Sequence, residues 1–542
     1  MAEFNFDWDD FRFGLCVINT DTSQPKSSWK GYNVTIADDD SMLVPIYAPT
    51  QLSLTGATTT SGAIDNGSSQ TSWSNPVYFN GYVVVQARTS SYNTVHFINT
   101  STGAVTSVNL PDLGTGVTDT PVVIPDSTDV IAYVVNGTSD KLYKVQRSTS
   151  TTTTYTLPAH PSSQGYTGLC LWGARMLAWS NTSDQFFFSD ATTSNVFDTA
   201  SWSALNYIGV GYNGDGISYV IPRNQDLVVA KPSGWYSITG VLGFNAALRK
   251  MNDAVGILST DTVAQNNNAI YFVTPLGYSD YAINLMQISG AFIDIAAYQR
   301  FGIGDSNVRV SKTNLGYLAV AAVIDEENGS QSGFAMMQEV AGRWQPLKTS
   351  RFTTGSNPTF NFASGQTSRY NNTQDKNLYL CEYTSGASSN KFAVIKVKPN
   401  TIEPGQNSSY APSSGTVRLS NISTKTPIII RQVYVEAEMM QIPTVGTMHS
   451  YTGSASITAT VYNRSVSDLS YSNADGSPTA VASSSYSYPY SDFAGASVSS
   501  IVSQQRVIRF NLDTAAWGYN HEIELTFAGL RIRRVWVKGD MR

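Results

Sequence analysis

Any chemistry in this chain has to come from few groups. Its four histidines, His96, His160, His449 and His521, are scattered over 542 residues, and no two stand at a metal-ligand spacing. His521-Glu522 opens a strand-like run, not the helix on which an HExxH zinc site is built. The cysteines, Cys16, Cys170 and Cys381, are odd in number, far apart and form no CxxC pair. Two of them sit in apolar strand-like runs, Leu169-Cys170-Leu171-Trp172 and Tyr379-Leu380-Cys381-Glu382, so buried free thiols are expected, as suits a reducing cytoplasm.

Carboxylates are more numerous. Glycoside hydrolysis needs two of them a few ångströms apart. Asp190, Asp198, Asp215, Asp226, Asp280 and Asp294 all qualify by type, and nothing in their spacing selects a pair. The SxDxGxxW box of propeller sialidases does not occur. Asp38-Asp39-Asp40 reads as a hairpin turn, because calcium loops interleave their acids with glycine and carbonyl ligands. Ser233-Gly234-Trp235-Tyr236-Ser237 lacks the frame of a nucleophile elbow, and no P-loop is present. Ile208-Gly209-Val210-Gly211-Tyr212-Asn213-Gly214-Asp215-Gly216 contains a GxG with no helix to follow, so it reads as a turn between strands rather than a dinucleotide fingerprint. The 10 tryptophans and 30 tyrosines fall mostly at alternating strand positions and read as core before they read as sugar platforms. The expectation is therefore a chain with no enzymatic activity, no catalytic residue, no cofactor and no metal.

The elements that would position such residues are strands. From Pro76 onward, short apolar runs separated by Asn, Asp and Gly recur in groups of four. The groups restart near Thr120, Tyr166, Gly214, Gly256, Val308 and Pro358. A repeat of roughly 40 to 50 residues holding four strands is the length of a propeller blade. One blade cannot bury both of its faces, whereas radial repetition can. The expected fold is all-β: a β-propeller of about seven blades (six to eight) over residues 29–400, with 29–56 as an incomplete blade or closing element. Two successive β-sandwiches are the alternative. Ala246 to Met251 and Ala291 to Tyr298 are expected as short helical turns between blades.

Residues 401–415 are rich in Pro, Gly and Ser and read as a linker. Beyond it the expected domain is a β-sandwich or jelly roll over 416–542. Its five strands are 427–438, 456–463, 505–512, 521–527 and 530–539, with a Ser/Tyr-rich loop over 465–498. In the last strand Ile532, Val535 and Val537 face inward while Arg531, Arg533, Arg534 and Lys538 face out. That basic face reads as solvated or salt-bridged before it reads as a nucleic-acid surface. Residues 1–28 are expected to form an arm. Its aromatics Phe4, Phe6, Trp8, Phe11 and Phe13 pack on the first blade or reach a neighbouring subunit.

Bulk composition agrees with a weakly charged β-body. Only 14% of residues are charged, against about 25% in typical soluble domains. The net charge of −6 argues against a gripped nucleic acid but suits a channel through which a polyanion slides. The N-terminal residues have neither the basic nor the apolar region of a signal peptide, and no run approaches the ~18 apolar residues of a membrane helix.

The stretch from Trp172 to Gly240 carries a resemblance. Leu169-Cys170-Leu171-Trp172-Gly173-Ala174-Arg175-Met176-Leu177-Ala178-Trp179 is followed by Phe188-Ser189-Asp190, then Val210-Gly211 and Asp215-Gly216. Leu227-Val228-Val229-Ala230-Lys231 and Trp235 then lead to Gly240. The series resembles the tail-associated β-propeller proteins of tailed bacteriophages, and the likeness extends loosely over residues 76–400 and to the basic last strand. The resemblance implies a structural protein of the virion tail, made in the host cytoplasm and most like the nozzle of short-tailed phages. It would form a hexameric ring below the adaptor and portal-side proteins. The ring would dock tail fibres and let genomic DNA pass through its lumen without specific binding. It carries over no catalytic residue. A glycan-binding tail hub or a glycan-degrading enzyme are the alternatives.

Overall fold

The computed structural model describes residues 72–252 apart from 115, 127–128, 136–139, 161–164, 192–200, 212–213 and 224. It also describes 415–419, 422–441, 454–464, 479–489, 502–512 and 517–542. Elsewhere it describes residues 2–9, 11, 29–32, 34–36, 42–45, 50–56, 59–60, 62–65, 256–257 and the short strands between 263 and 397. The described elements are all strands, and they divide into two units. One unit holds residues 50–332 and 353–397; the other holds 1–49, 333–352 and 398–542.

In the first unit, four-stranded antiparallel meanders follow one another. The first sheet runs through Val77–Phe79, Tyr82–Arg88, Asn93–Asn99 and Val105–Asn109. The second runs through Val122–Pro125, Val130–Val135, Lys141–Gln146 and Thr151–Thr156. The third comprises Gly168–Trp172, Arg175–Trp179, Gln185–Ser189 and Trp202–Gly209. The fourth comprises Tyr219–Pro222, Asp226–Lys231, Gly234–Thr239 and Ala247–Asn252. A fifth follows over Val263–Gln265, Ala269–Pro275, Ala282–Ser289 and Phe292–Asp294, and Arg309–Lys312 pairs with Leu318–Ala322. The last sheet joins distant parts of the chain: Thr359–Phe362, Leu378–Ser385 and Asn390–Val397 take in Ala63–Asp65, Thr59–Thr60 and Thr50–Gln51.

Alternation along each strand explains why these sheets stack. In the second sheet, Val130, Ala132 and Val134 point into a core shared with Val84, Val95 and Phe97 of the first. Ile131, Tyr133 and Val135 point the other way, into a core shared with Leu169, Met176 and Phe187 of the third. The third and fourth sheets share Trp179, Phe186, Phe188, Leu227 and Val229. The fourth meets the fifth through Trp235 and Phe272, whose ring centroids are 4.6 Å apart. The closing sheet packs Ile64, Tyr379, Cys381 and Phe392 on Tyr78, Val83, Val85 and Ile98 of the first. Each fully buried side chain contributes roughly 1.5–3 kcal/mol. Face-to-face packing that returns to its starting sheet is a propeller, and two successive sandwiches would not produce it. Backbone bonds tie the blade entries in series: Asn75 N–H donates to the Asp119 carbonyl at 2.8 Å, and Asp119 N–H to that of Thr167 at 2.7 Å.

The second unit is built on Ile422–Gln441, a 20-residue strand that changes partners along its length. Its start pairs with Gly518–Ala528, and the rest lies between Val502–Asn511 and Leu530–Met541. Val433, Val435, Ile457, Val461, Phe510, Leu525 and Val537 converge on one core, as a sandwich requires.

Several expectations are corrected here. Ala247–Asn252 is a strand rather than helical turns, because Ala247 to Lys250 register against Tyr236 to Thr239 as the sheet's outer strand. Phe292–Asp294 is likewise a strand, paired with Gln287–Ser289. Residues 295–298 lie outside the described residues. The Ser/Tyr-rich stretch contains Thr479–Pro489, a strand whose Ser483 and Ser485 hydroxyls meet those of Thr460 and Thr458 at 3.2 and 2.8 Å. The expected boundary at residue 29 does not hold, since Trp29–Tyr32 pairs with Gly415–Leu419 in the second unit. Among the described residues of the arm, Ala2–Trp8 pairs with Leu530–Met541, and Phe4, Trp8 and Phe11 are buried in the core of the second unit rather than against the first blade. Phe13 and the linker over 401–414 lie outside the described residues.

Candidate functional site

The glycine-rich phrase at 208–216 closes over a polar centre. Its chain crosses the turn 180–184 of the third sheet: Val210 N–H donates to the Asp184 carbonyl at 2.8 Å, and Ile217 N–H to that of Ser183 at 2.9 Å. Gly216 runs so close beneath this turn that a Cβ would overlap the Asn181 carbonyl. Gly211 has φ +78°, and a Cβ there would stand 2.7 Å from the Tyr236 hydroxyl. Under it lies Lys231, only 1% exposed, with Nζ donating to the Val210 carbonyl at 2.8 Å and 6.0 Å from the Tyr236 ring centroid. Burial pulls the Lys231 ammonium below the usual lysine range, against the opposing charges of Asp184 and Asp215. An ammonium in this position fastens the interblade connection. The amides of Val210 and Ile217 are spent on the neighbouring turn rather than turned toward a ligand.

The candidate acids have separate structural duties. Asp226 is 8% exposed and accepts from Arg223 Nε at 2.6 Å, Arg223 Nη2 at 2.5 Å and Ser237 Oγ at 2.8 Å. Asp129 stands at the matching position of the second sheet, just before the second strand, and accepts from Arg147 Nε at 2.5 Å. Burial pushes the Asp129 carboxyl up, but hydrogen bonds from Arg147, Val130 and Ser148 together with the Arg147 charge bring it below its ordinary value. Asp190 is exposed and accepts from Asn206 Nδ2 at 2.7 Å. Asp38 to Asp40, Asp198 and Asp280 lie outside the described residues, as does the side chain of Asp294. Ser233 sits in the tight turn between Asp226–Lys231 and Gly234–Thr239, not at a nucleophile elbow.

The remaining titratable candidates that are described are buried or half-buried. His96 is fully buried, its Nδ1 is 2.9 Å from Ser107 Oγ, and burial lowers its pKa to about 4. His521 is also lowered by burial, opposed by its Nε2 bonds to the Ile428 and Gly518 carbonyls at 3.2 and 3.3 Å. His160 meets Tyr166 edge-on at 4.8 Å. Cys170 and Cys381 are buried free thiols, both pushed up by desolvation. Cys16 and His449 lie outside the described residues. Among the described residues no three His, Cys, Asp or Glu side chains are grouped to hold a metal ion, and no helix is long and apolar enough to cross a membrane.

On the last strand the basic face is balanced by its neighbours. Arg534 Nε donates to Asp7 at 3.2 Å, and its guanidinium lies 5.3 Å from the Trp536 ring centroid. Trp536 stacks on Tyr434 at 5.1 Å and 3°, with Lys538 5.8 Å from the tyrosine ring. Arg531 is in register with Glu438, and Arg533 occupies a bulge. The residues that sequence reasoning missed are apolar. Leu205 and Phe244 are 85% and 88% exposed on the outer parts of the third and fourth sheets. Nothing in the sequence pattern singled them out.

No protein-family model matches this chain, and no curated protein sequence does. Among solved structures it is similar to oligopeptidase B from Leishmania major, at 11% identity and TM-score 0.34, covering 66% of this chain and 55% of that one. It is also similar to a puromycin-hydrolyzing peptidase of Mycobacterium tuberculosis, at 9% identity and TM-score 0.37, covering 65% and 58%. U3-55K matches at 10% identity and TM-score 0.37, over 58% of this chain and 91% of that one. The chain thus spans little more than half the length of the two peptidases. Likenesses of this size carry no argument about activity.

Proposed function

We propose that this protein is a non-enzymatic structural component of a bacteriophage tail. In this reading it is a ring-forming nozzle subunit that extends the tail, lines the DNA exit channel and offers docking surfaces for fibres. The observation that carries the proposal is the third-to-fourth-sheet segment. There the phrase resembling tail propeller proteins, from Trp172 to Gly240, runs through most of the third and fourth four-stranded sheets and the turn that joins them. A weakly charged surface and a net charge of −6 suit a conduit that must not retain a polyanion. Use of Asp226 and Lys231 as fasteners supports a framework rather than a catalyst.

The test is the mass of the purified protein in solution, with negative-stain imaging of it and of assembled particles. The expected result is a ring of about six copies with a central hole, free or at the tail. A protein that binds polysaccharide, hydrolyses it, or never occurs in particles would overturn this reading in favour of a glycan-binding hub or a glycan-degrading enzyme.

A further inference from the structure

The propeller closes where the first sheet meets the last, and a histidine lies in that seam. Alternation along Asn93–Asn99 puts His96 and Ile98 on one face, with Val83 and Val85 of the neighbouring strand. Ile98, Val83 and Val85 belong to the core built with Tyr379, Cys381 and Phe392 of the closing sheet. His96 is fully buried on that face, 6.0 Å from the Trp73 ring, and Trp73 stacks on Phe392 across the seam at 4.9 Å. Tyr78 and Tyr379 also stack across it at 4.9 Å.

This environment accepts a neutral imidazole and not a charged one. An imidazolium donates from both ring nitrogens. Nδ1 has Ser107 Oγ at 2.9 Å, whereas Nε2 is buried and meets no acceptor among the described residues. Trp73 presents a ring tilted by 38° and no lone pair. The titratable groups of the seam are two phenols, Tyr78 and Tyr379, and the Cys381 thiol, which burial pushes up. Asp65 and Lys391 stand in register with each other, one position from Ile64 and Phe392, and so face away from the seam. Burial alone lowers the His96 pKa to about 4.

We infer that His96 makes this seam an acid-sensitive latch, at which the closing sheet separates from the first sheet while the other sheets stay stacked. Selectivity comes from the path of the chain. Each sheet from the first to the fourth runs into the next through a short length of chain, whereas residues 359–397 have no such link to the first sheet. They reach it by packing, by Ser364–Gly365 against Val77–Tyr78, and by pairing with residues 50–65. Thr55 fastens the latter segment to the first sheet, its N–H donating to the Gly103 carbonyl at 3.0 Å and its carbonyl accepting from Val105 N–H at 2.8 Å. Separation uncovers His96, and the opened state takes up the proton that the closed state refuses. Between an ordinary value of 6.5 and about 4 in the seam, opening gains about tenfold per pH unit, or about 30-fold at pH 5. The latch acts within one chain and is independent of the tail reading.

Two buried thiols serve as reporters: Cys381 lies in the seam and Cys170 in the core between the third and fourth sheets. The full chain is exposed to a dipyridyl disulfide from pH 7.5 to pH 5. Labelling of each cysteine is mapped by mass and divided by its rate in the urea-unfolded chain at the same pH. Circular dichroism checks that the protein stays folded. In wild type the Cys381 ratio is expected to rise about 30-fold, with Cys170 labelled much more slowly than Cys381 at pH 5. In His96→Phe and His96→Asn the Cys381 ratio is expected to stay level. Equal labelling of the two cysteines at pH 5 would mean that acid opens the whole chain and would overturn the latch. A Cys381 ratio that is flat in wild type, or that rises equally in the variants, would overturn the role of His96. The comparison of the two cysteines uses wild type alone, so it stands even where a variant does not fold.

Discussion

Single residues in this propeller are fixed by contact at very short range. Gly168 begins the innermost strand of its blade, and a Cβ there would overlap the buried indole of Trp179. Gly168→Ala is expected to destabilise the protein by about 1–3 kcal/mol, the usual cost of overpacking. Gly209→Ala faces open space and should stay within about 0.5 kcal/mol of wild type. Urea unfolding of the two variants checks the pair. His96 makes a pH prediction. In the unfolded chain it titrates near 6.5, whereas burial holds it at about 4 in the fold. Below pH 6.5 the unfolded state takes up a proton that the folded state refuses, so stability falls as pH drops from 6.5 toward 4. The loss amounts to roughly 3 kcal/mol over the window. Unfolding free energies of wild type and His96→Asn across that range should show a shallower slope in the variant, and equal slopes would refute the assignment.

At the scale of elements, the N-terminal strand shows how unequal two contacts of one segment are. Trp8 is 1% exposed in the core, whereas the Asp7–Arg534 pair lies at the surface. Trp8→Ala should cost about 3–5 kcal/mol, while Arg534→Ala should cost no more than about 1 kcal/mol, because water screens an exposed pair. Denaturation midpoints distinguish the two. Strands with one or two buried faces were legible in the sequence: Val130–Val135 and Asp226–Lys231 announce themselves by β-branched runs between Asn, Asp and Gly. Ala247–Asn252 was not, because its residues are exposed or half-exposed and only pairing with Gly234–Thr239 makes it a strand. Nor was the partnership of Trp29–Tyr32 with Gly415–Leu419, since local pattern holds no information on which distant edge a short strand will meet. Leu205 and Phe244 were invisible for a related reason. Exposure belongs to the folded surface, and a leucine in a strand reads as core until its neighbours are known.

At the scale of the molecule, the blade repeat leaves one obligation that no single blade can meet. Stacking buries every interior face only if the last sheet covers the outer face of the first. Here the chain satisfies this by lending residues 50–65 to strands that it forms more than 300 residues later. Ile64 is fully buried at that seam, among Tyr379, Phe392 and Val394 of the closing sheet and Tyr78 and Val85 of the first. Removing its side chain beyond Cβ leaves a cavity where two distant parts of the chain meet, and the cost for a buried isoleucine is about 2–5 kcal/mol. A similar loss at Ile124, buried between the second and third sheets, leaves ring closure intact because those sheets are also joined by a short connection. Ile64→Ala should therefore do more than lower the midpoint. Strands 378–397 should become cleavable by protease under conditions where the second and third sheets remain resistant, whereas Ile124→Ala should lower the midpoint without that selective opening. Limited proteolysis with mass mapping of the first cuts checks both variants. First cuts in the same places for the two would mean that the 50–65 strands do not latch the propeller, and that its sheets are held by sequential neighbours alone.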